Sequence, residues 1–373
     1  LNVKKIKVTV LFGGQSSEHE VSRISAQSIL ENIDRERFDV RMVGITKTGE
    51  WLEYKGDISL IGTGEWEKAA RQQLLDKAKS ARALLQAPSC MDLVSFKDEE
   101  EQNIGVDVVF PVLHGPNGED GSVQGLLQLA GVPYVGCNIL ASAAGMDKEF
   151  SKLVFGNAGI PQARYIKVMR NEIRGSMPVL ANRVTEELGW PCFVKPANAG
   201  SSVGVSKVKE PGDLEAALLQ AAKYDSKILI EEYIRGRELE CAVLGNDNPI
   251  ASTVGEIVPC NEFYDYKAKY IDGKSETIIP ADVPPHVMEQ VQDYAVRAFR
   301  ALGCSGLSRV DFFYSEEKGV ILNEINTMPG FTSISMYSKL WEASGIPYPE
   351  LITRLIELAF EKYEQDTRSY ERD

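Results

Sequence analysis

The chain has 373 residues, a length that fits two or three domains with a full hydrophobic core. Apolar residues make up 43% and charged residues 25%, with 31 glycines and 17 prolines, which excludes a disordered or fibrous chain. Lysines and arginines number 41 against 54 aspartates and glutamates, and the formal charge of −13 excludes a general binder of nucleic acid or anionic membrane, so a polyanionic ligand needs a local basic pocket.

Cys90, Cys137, Cys192, Cys241, Cys260 and Cys304 are widely spaced with no CxxC pair, which is neither zinc spacing nor a disulfide framework. With only His19, His114 and His286 available, a metal site must be built from oxygen ligands and suits magnesium or calcium. No apolar run reaches the roughly 18 residues that span a bilayer, and the N-terminus runs straight into a strand pattern without a signal-peptide layout. Dispersed thiols and the missing span predict a cytoplasmic protein with no membrane partner.

Residues 5–12 (KIKVTVLF) predict a strand that ends at Gly13-Gly14 and leads into a helix with Val21, Ile24, Ile29, Leu30 and Ile33 on its apolar side. FDVRMVGITKTGEWL gives one or two further strands, and residues 106–113 (VDVVFPVL) a buried strand followed by HGPNGEDG and a helix near 122–129. This first part reads as α/β with a parallel sheet. Residues 56–103, including the acidic run 98–101, are charged and helix-prone and read as a solvated insertion.

Residues 141–160 are helical in pattern, and a further helix is predicted near 179–188. The strand at 192–196 (CFVKP), a glycine loop and another strand follow, and 228–234 (ILIEEYI) closes a smaller α+β unit near residue 234. GRELECAVLG and PIASTVGEIV continue as strands. Residues 259–280 form a long polar and aromatic connection that suggests a functional loop. Helices near 287–302 and 349–364 flank a hairpin of 308–314 and 320–326.

That hairpin, SRVDFFYSEEKGVILNEIN, is the most specific chemical signal. With a four-residue loop at 316–319, Ser315 pairs with Val320, Asp311 falls opposite Glu324 and Arg309 opposite Asn326, all on one face. Two carboxylates and an amide oxygen on one patch repel unless a hard cation lies between them, the way magnesium is held with substrate phosphates. The alternative is an exposed face lined with charge. The following TMPGFTS is a turn suited to presenting N–H groups to an anion.

In VKPANAGSSVGVSKV, Lys195 ends a strand and the Gly200–Gly204 turn lets backbone approach a phosphate, although GK[ST] and its helix are missing, so this is no P-loop. A plain hairpin turn is the competing reading. Ser17 and Glu20 are spaced as a capping box, and Glu18 beside them reads from its position as a favourable charge in a first helical turn. A GxGxxG fingerprint is absent, which argues against a dinucleotide site. His114 follows a buried strand at the carboxyl end of the sheet, where binding and purely structural roles are equally open. EFYDYKAKY concentrates Tyr264, Tyr266, Lys267, Lys269 and Tyr270, which read as a lid over a small anionic site.

Taken in order, LFGGQSSEHEVS, HGPNGEDGSVQG, MDKEFSK, VKPANAGSSVGVSKV, LIEEYIRGRELE, FYDYKAKY and SRVDFF with LNEINTMPGFTSIS resemble the D-alanine:D-alanine ligases of the ATP-grasp group across nearly the whole chain. Residues 56–103 resemble a variable insertion of longer members. The resemblance implies a mixed α/β and α+β chain with a three-domain ATP-grasp fold and an N-terminal parallel-sheet domain, divided as 1–139, 140–234 and 235–373.

The family's reaction joins two D-alanines for peptidoglycan. The first carboxylate takes the γ-phosphate of ATP to give an acylphosphate, and the amine of the second D-alanine attacks it. By resemblance, Lys148, Lys195 and Ser202 bind ATP, with Glu231, Glu232, Ile234 and Glu238 around adenine and ribose. Asp311, Glu324 and Asn326 hold two magnesium ions, with manganese as a substitute. Arg309 and the Gly330 N–H stabilise the developing oxyanion. Glu18 takes the first ammonium, with His114 positioning that substrate, and Lys269, Ser335 and Met336 bind the second carboxylate. Ser201 and Tyr270 hydrogen-bond with Glu18 to close the lid.

Tyrosine at 270 resembles the dipeptide-forming type, which points to D-alanine rather than D-lactate as second substrate. A homodimer is carried over as an expectation. The competing readings are a D-alanyl-D-lactate or D-alanyl-D-serine ligase, and a nucleotide-binding protein without catalysis, which an incomplete metal triad would favour.

Overall fold

The computed structural model describes residues 4–81, 106–258 and 276–366, apart from 174 and 176. The expectations placed on 82–105 and on the lid, with Tyr264, Tyr266, Lys267, Lys269 and Tyr270, lie outside the described residues.

The chain opens with β1 (Ile6–Gly13), α1 (His19–Asn32), β2 (Phe38–Ile45), β3 (Trp51–Tyr54), α2 (Ser59–Thr63), α3 (Trp66–Ala81), β4 (Val108–Val112) and α4 (Ser122–Leu129). The sheet order is β3-β2-β1-β4, with β1 parallel to both neighbours and β3 antiparallel at the edge. Alternation along β1 sends Val8, Val10 and Phe12 into a core shared with α1, and Leu11 into the opposite one with Val123 and Leu127 of α4. Within α1, Ile29, Leu30 and Ile33 are buried, whereas Ile24, expected on the apolar side, is 53% exposed and Ser22 and Ser25 take the buried positions.

Residues 56–81 correct the expectation of a solvated insertion. Trp66 is 1% exposed and meets Phe12 edge-on at 4.9 Å, Ile61 is fully buried, and both belong to the main core. Bare Gly44 makes room for the indole, since a Cβ there would lie 2.3 Å from the Trp66 ring.

The middle of the chain holds α5 (Ile139–Met146), α6 (Lys148–Asn157), β5 (Tyr165–Met169), α7 (Met177–Glu187), β6 (Cys192–Pro196), β7 (Ser206–Val208), α8 (Leu214–Ala221) and β8 (Lys227–Glu232). Residues 141–160 form two helices rather than one, because the Asp147 carboxylate caps the second by accepting from the N–H groups of Glu149 and Phe150. The break sets Lys148 at the first position of α6. A four-stranded antiparallel sheet, β5-β8-β6-β7, buries Ile166, Val194 and Ile230 against Val184 of α7 and Leu218 of α8.

The remainder comprises β9 (Arg237–Gly245), β10 (Ile250–Val258), β11 (Glu276–Ile278), α9 (Pro285–Leu302), β12 (Gly306–Ser315), β13 (Gly319–Asn326), α10 (Met336–Ala343) and α11 (Tyr348–Gln365). The antiparallel sheet β11-β10-β9-β12-β13 packs one face on α9 and on Ala141 and Phe155 of α5 and α6. Its other face joins α10, α11 and the N-terminal sheet in one core. Helix α9 repeats its buried residues at 287, 291, 295, 298, 299 and 302 and stops at Gly303, whose φ of 68° few other residues adopt. None of the described helices is long and apolar enough to cross a membrane.

Candidate active site

The β12–β13 hairpin sets four polar side chains on one face, with Asp311 opposite Glu324 and Arg309 opposite Asn326. The expected pairing of these residues is present, but the loop is not the expected one. Ser315 pairs with Gly319 across a three-residue turn, and Asn323 is an extra residue, a β-bulge that shifts the register by one before Glu324. A positive φ of 72° at Gly319 permits the tight turn.

On this face Arg309 grips both Asp311 oxygens at 2.7 Å, Asn326 Nδ2 donates to Asp311 Oδ2 at 3.0 Å, and Glu240 of β9 lies 2.9 Å from Arg309 Nε. Burial works against the Arg309 charge, but Asp311 and Glu240 outweigh it and hold the guanidinium charged well beyond its ordinary range. Lys148 Nζ lies 3.4 Å from Glu324 and donates to the Ala199 carbonyl at 2.9 Å. No cluster of three His, Cys, Asp or Glu side chains occurs among the described residues; the donor set here is two carboxylates and one amide oxygen, with Arg309 and Lys148 supplying positive charge beside it. Hard oxygen donors of this kind fit magnesium.

Beyond Ala199 the turn reaches Ser201 and Ser202, both at positive φ (50° and 58°), a strained pair for residues with side chains. Ser201 Oγ donates to Glu18 Oε1 at 2.5 Å. Glu18 is no surface charge: it is 7% exposed, at the start of α1, and a Cβ on Gly115 would stand 2.6 Å from its Oε2. The expected capping box is not formed, because Glu20 pairs with Lys47 and it is Ser16 Oγ that accepts from the Glu18 N–H.

Lys195, at the end of β6, lies 2.6 Å from Glu231 Oε2, and buried Lys152 lies 3.3 Å from Oε1. Burial alone would raise the Glu231 carboxyl, yet the two ammonium groups hold it below its usual range. Glu231 Oε1 makes no hydrogen bond among the described residues, leaving an acceptor that suits a nucleotide amino group. Glu232 turns to Arg164 and Lys318, each 2.8 Å from its Oε2. Ile234 packs with Ala163, Ile321 and Phe313, and Glu238 sits half-buried on β9 across from Phe313.

His114 is buried with both ring nitrogens engaged. Nδ1 donates to the Met328 carbonyl at 3.0 Å and Nε2 lies 3.4 Å from Ser25 Oγ, which accepts from the Phe331 N–H. Burial lowers its pKa, so the ring is neutral and the tautomer follows from the network. Gly330 lies in the segment these contacts hold. Ser335 Oγ accepts from the Thr332 N–H at 3.0 Å, and Met336 opens α10 with its side chain in the core, so its backbone N–H in the first helical turn is what it offers a ligand.

Sequence reasoning missed Glu240, Ser25 and Glu119. Two serines three residues apart on the otherwise apolar face of α1 were a usable signal for Ser25; Glu240 lies inside a strand pattern that reads as core.

Family comparison agrees with this arrangement. The model for the D-ala D-ala ligase C-terminus matches residues 154–357 and that for the N-terminus residues 7–137. A D-alanine--D-alanine ligase from Acetivibrio thermocellus is 57% identical over 98% of this chain and 99% of its own length, and one from Ruminiclostridium cellulolyticum 53% over 99% of each. Among solved structures, the VanG D-Ala:D-Ser ligase from Enterococcus faecalis superposes with a TM-score of 0.80 at 38% identity, covering 95% of this chain and 100% of that one. The D-alanine-D-alanine ligase from Coxiella burnetii gives 0.79 at 36%, covering 97% and 96%. With this ATP-grasp architecture and these matches over nearly its full length, the chain belongs to the D-alanine:D-alanine ligase family.

Proposed function

We propose that this protein is the ATP-dependent ligase that condenses two D-alanines into D-alanyl-D-alanine for peptidoglycan precursors. The observation that carries the reading is an unbroken run of contacts across the site: Glu18 to Ser201, Ala199 to Lys148, and Lys148 to the Glu324 face of the hairpin.

A free carboxylate is a poor electrophile. ATP with its magnesium supplies the phosphoryl group that makes it a good one, and Asp311, Glu324 and Asn326 are the residues to hold the metal, two ions in the family's pattern. Lys148 and Lys195 neutralise phosphate charge, the N–H groups of the turn around Ser202 face the same anion, and Glu231, Glu232, Ile234 and Glu238 belong to the nucleoside side.

Glu18 holds the ammonium of the first D-alanine, fixing its carboxylate toward the transferred phosphate. An oxygen of that carboxylate bonds to phosphorus as the bond to ADP breaks. The amine of the second D-alanine, oriented through Ser335, the Met336 N–H and Lys269, then bonds to the carbonyl carbon and loses a proton, and phosphate departs with the former carboxylate oxygen. Arg309 and the Gly330 N–H stabilise the oxyanion between these two events. His114 acts through Met328 and Ser25. Tyr270, with Ser201 and Glu18, closes the lid and selects an amine acceptor. ATP as donor and the four free, buried thiols among the described residues support a cytoplasmic setting, and a homodimer is carried over from the family.

The test is ADP release by the purified protein with magnesium and ATP, supplying D-alanine alone and then with D-serine or D-lactate, with products identified by mass. Dipeptide formed in step with ADP supports the reading. A mixed product preferred over the dipeptide overturns the second-substrate assignment, and no ADP with any acceptor overturns the activity.

A further inference from the structure

Glu119 has no assigned role, yet its carboxylate is bound at both ends of a junction between the first sheet and the hairpin. Its Oε2 accepts from the Gly115 N–H at 2.7 Å, within a turn closed by the Gly118 and Glu119 N–H groups on the Gly115 carbonyl. The same carboxylate accepts from the Met328 N–H. The Met328 carbonyl accepts from His114 Nδ1. One backbone residue is therefore gripped through both its N–H and its C=O by the loop that follows β4, two positions before Gly330.

The surroundings make a carboxylate an expensive way to hold a loop. Glu18 and Glu324 both act on it with like charge, and burial with the Glu18 field pushes its carboxyl well above the usual range. Packing alone would be served by a neutral amide at lower electrostatic cost. A costly group retained between two parts of a reaction centre points to function rather than to the fold.

We infer that Glu119 is a positioning residue: by clasping the Met328 N–H against Gly115 it sets the segment 328–330, and with it the Gly330 N–H, relative to the substrate held by Glu18. The inference rests on the proposed role of Gly330. Ser25 on the Phe331 N–H, Ser28 on the Ser333 N–H and Tyr348 on the Phe331 carbonyl fix the far side of the segment, so the near side depends on the loop carrying His114 and Glu119.

The test uses the full chain and two variants, Glu119→Gln, which keeps shape but offers one acceptor oxygen, and Glu119→Ala. The expected result is a fall in kcat of about tenfold for Gln and more for Ala, with KM for ATP within about twofold and Tm within about 3 °C of wild type. Amide hydrogen exchange in the peptide containing Met328 is expected to speed up in both variants without ligands, a readout independent of turnover. Unchanged exchange, or a Gln variant with kcat within twofold of wild type, overturns the inference. So does a loss of Tm and ATP binding in proportion to kcat, which marks a fold-holding role. An inactive wild type with faster exchange in the variants would instead sink the ligase reading and leave the clasp standing.

Discussion

Ser201 and Glu18, 183 positions apart in sequence, share a hydrogen bond of 2.5 Å that ties the glycine-rich turn of the middle sheet to the first helix of the chain. A hydrogen bond to a buried carboxylate contributes about 1.5–3 kcal/mol. Ser201→Ala is expected to raise KM for D-alanine roughly tenfold while KM for ATP stays within about twofold. Initial rates at varied D-alanine check this, and an unchanged KM would detach Ser201 from the substrate site.

Glu324→Gln removes a charged oxygen donor from a half-buried strand position, so the fold survives and phosphoryl transfer does not. ADP formation is expected to fall at least about a hundredfold with Tm within about 3 °C of wild type. Arg309 separates binding from turnover: Arg309→Ala is expected to lower kcat more than it raises KM for ATP, with Arg309→Lys between, since lysine keeps the charge but loses the fork on Asp311. A Glu324→Gln enzyme with wild-type rates would contradict the metal assignment.

The hairpin shows how sequence reading succeeds and fails at one place. Alternation of side chains specified which residues share the metal-facing side, and that survives in Asp311, Glu324, Arg309 and Asn326. The loop was misjudged by one residue because Gly319 makes a shorter turn, and the bulge at Asn323 restores the pairing. Bulges have no short-range signature in an alternating strand. Residues 56–81 failed differently: Trp66 and Ile61 stand among charged neighbours, and only the room left by Gly44 reveals where the indole goes. The Glu119 clasp was illegible because it joins a loop to a backbone N–H 209 positions away, and backbone partners carry no residue-specific mark.

Trp66 carries a stability prediction. Its ring is buried against Phe12 and Tyr54, at 4.9 and 6.5 Å between centroids, in the core that continues into α11. Trp66→Ala is expected to cost about 3–5 kcal/mol, read as a lower denaturant midpoint. A loss under about 1 kcal/mol would return this segment to the status of a surface insertion.

Glu232 predicts the acid limb of stability. Burial alone would raise its carboxyl, but Arg164 and Lys318 carry it down from 4.5 to about 2. A group depressed on folding contributes stability that is complete above the unfolded value of 4.5 and is lost as pH falls toward about 2. Between about pH 5 and pH 3 the Tm of wild type is therefore expected to drop further than that of Glu232→Gln. Parallel drops would show that the contacts with Arg164 and Lys318 add nothing to folding.

The central claim is that a D-alanine carboxylate oxygen leaves as part of phosphate. D-alanine labelled with heavy oxygen in its carboxylate, turned over with magnesium and ATP, tests it directly by mass analysis of the phosphate released. The account predicts one labelled oxygen in phosphate for each dipeptide formed; unlabelled phosphate accompanying dipeptide would contradict it.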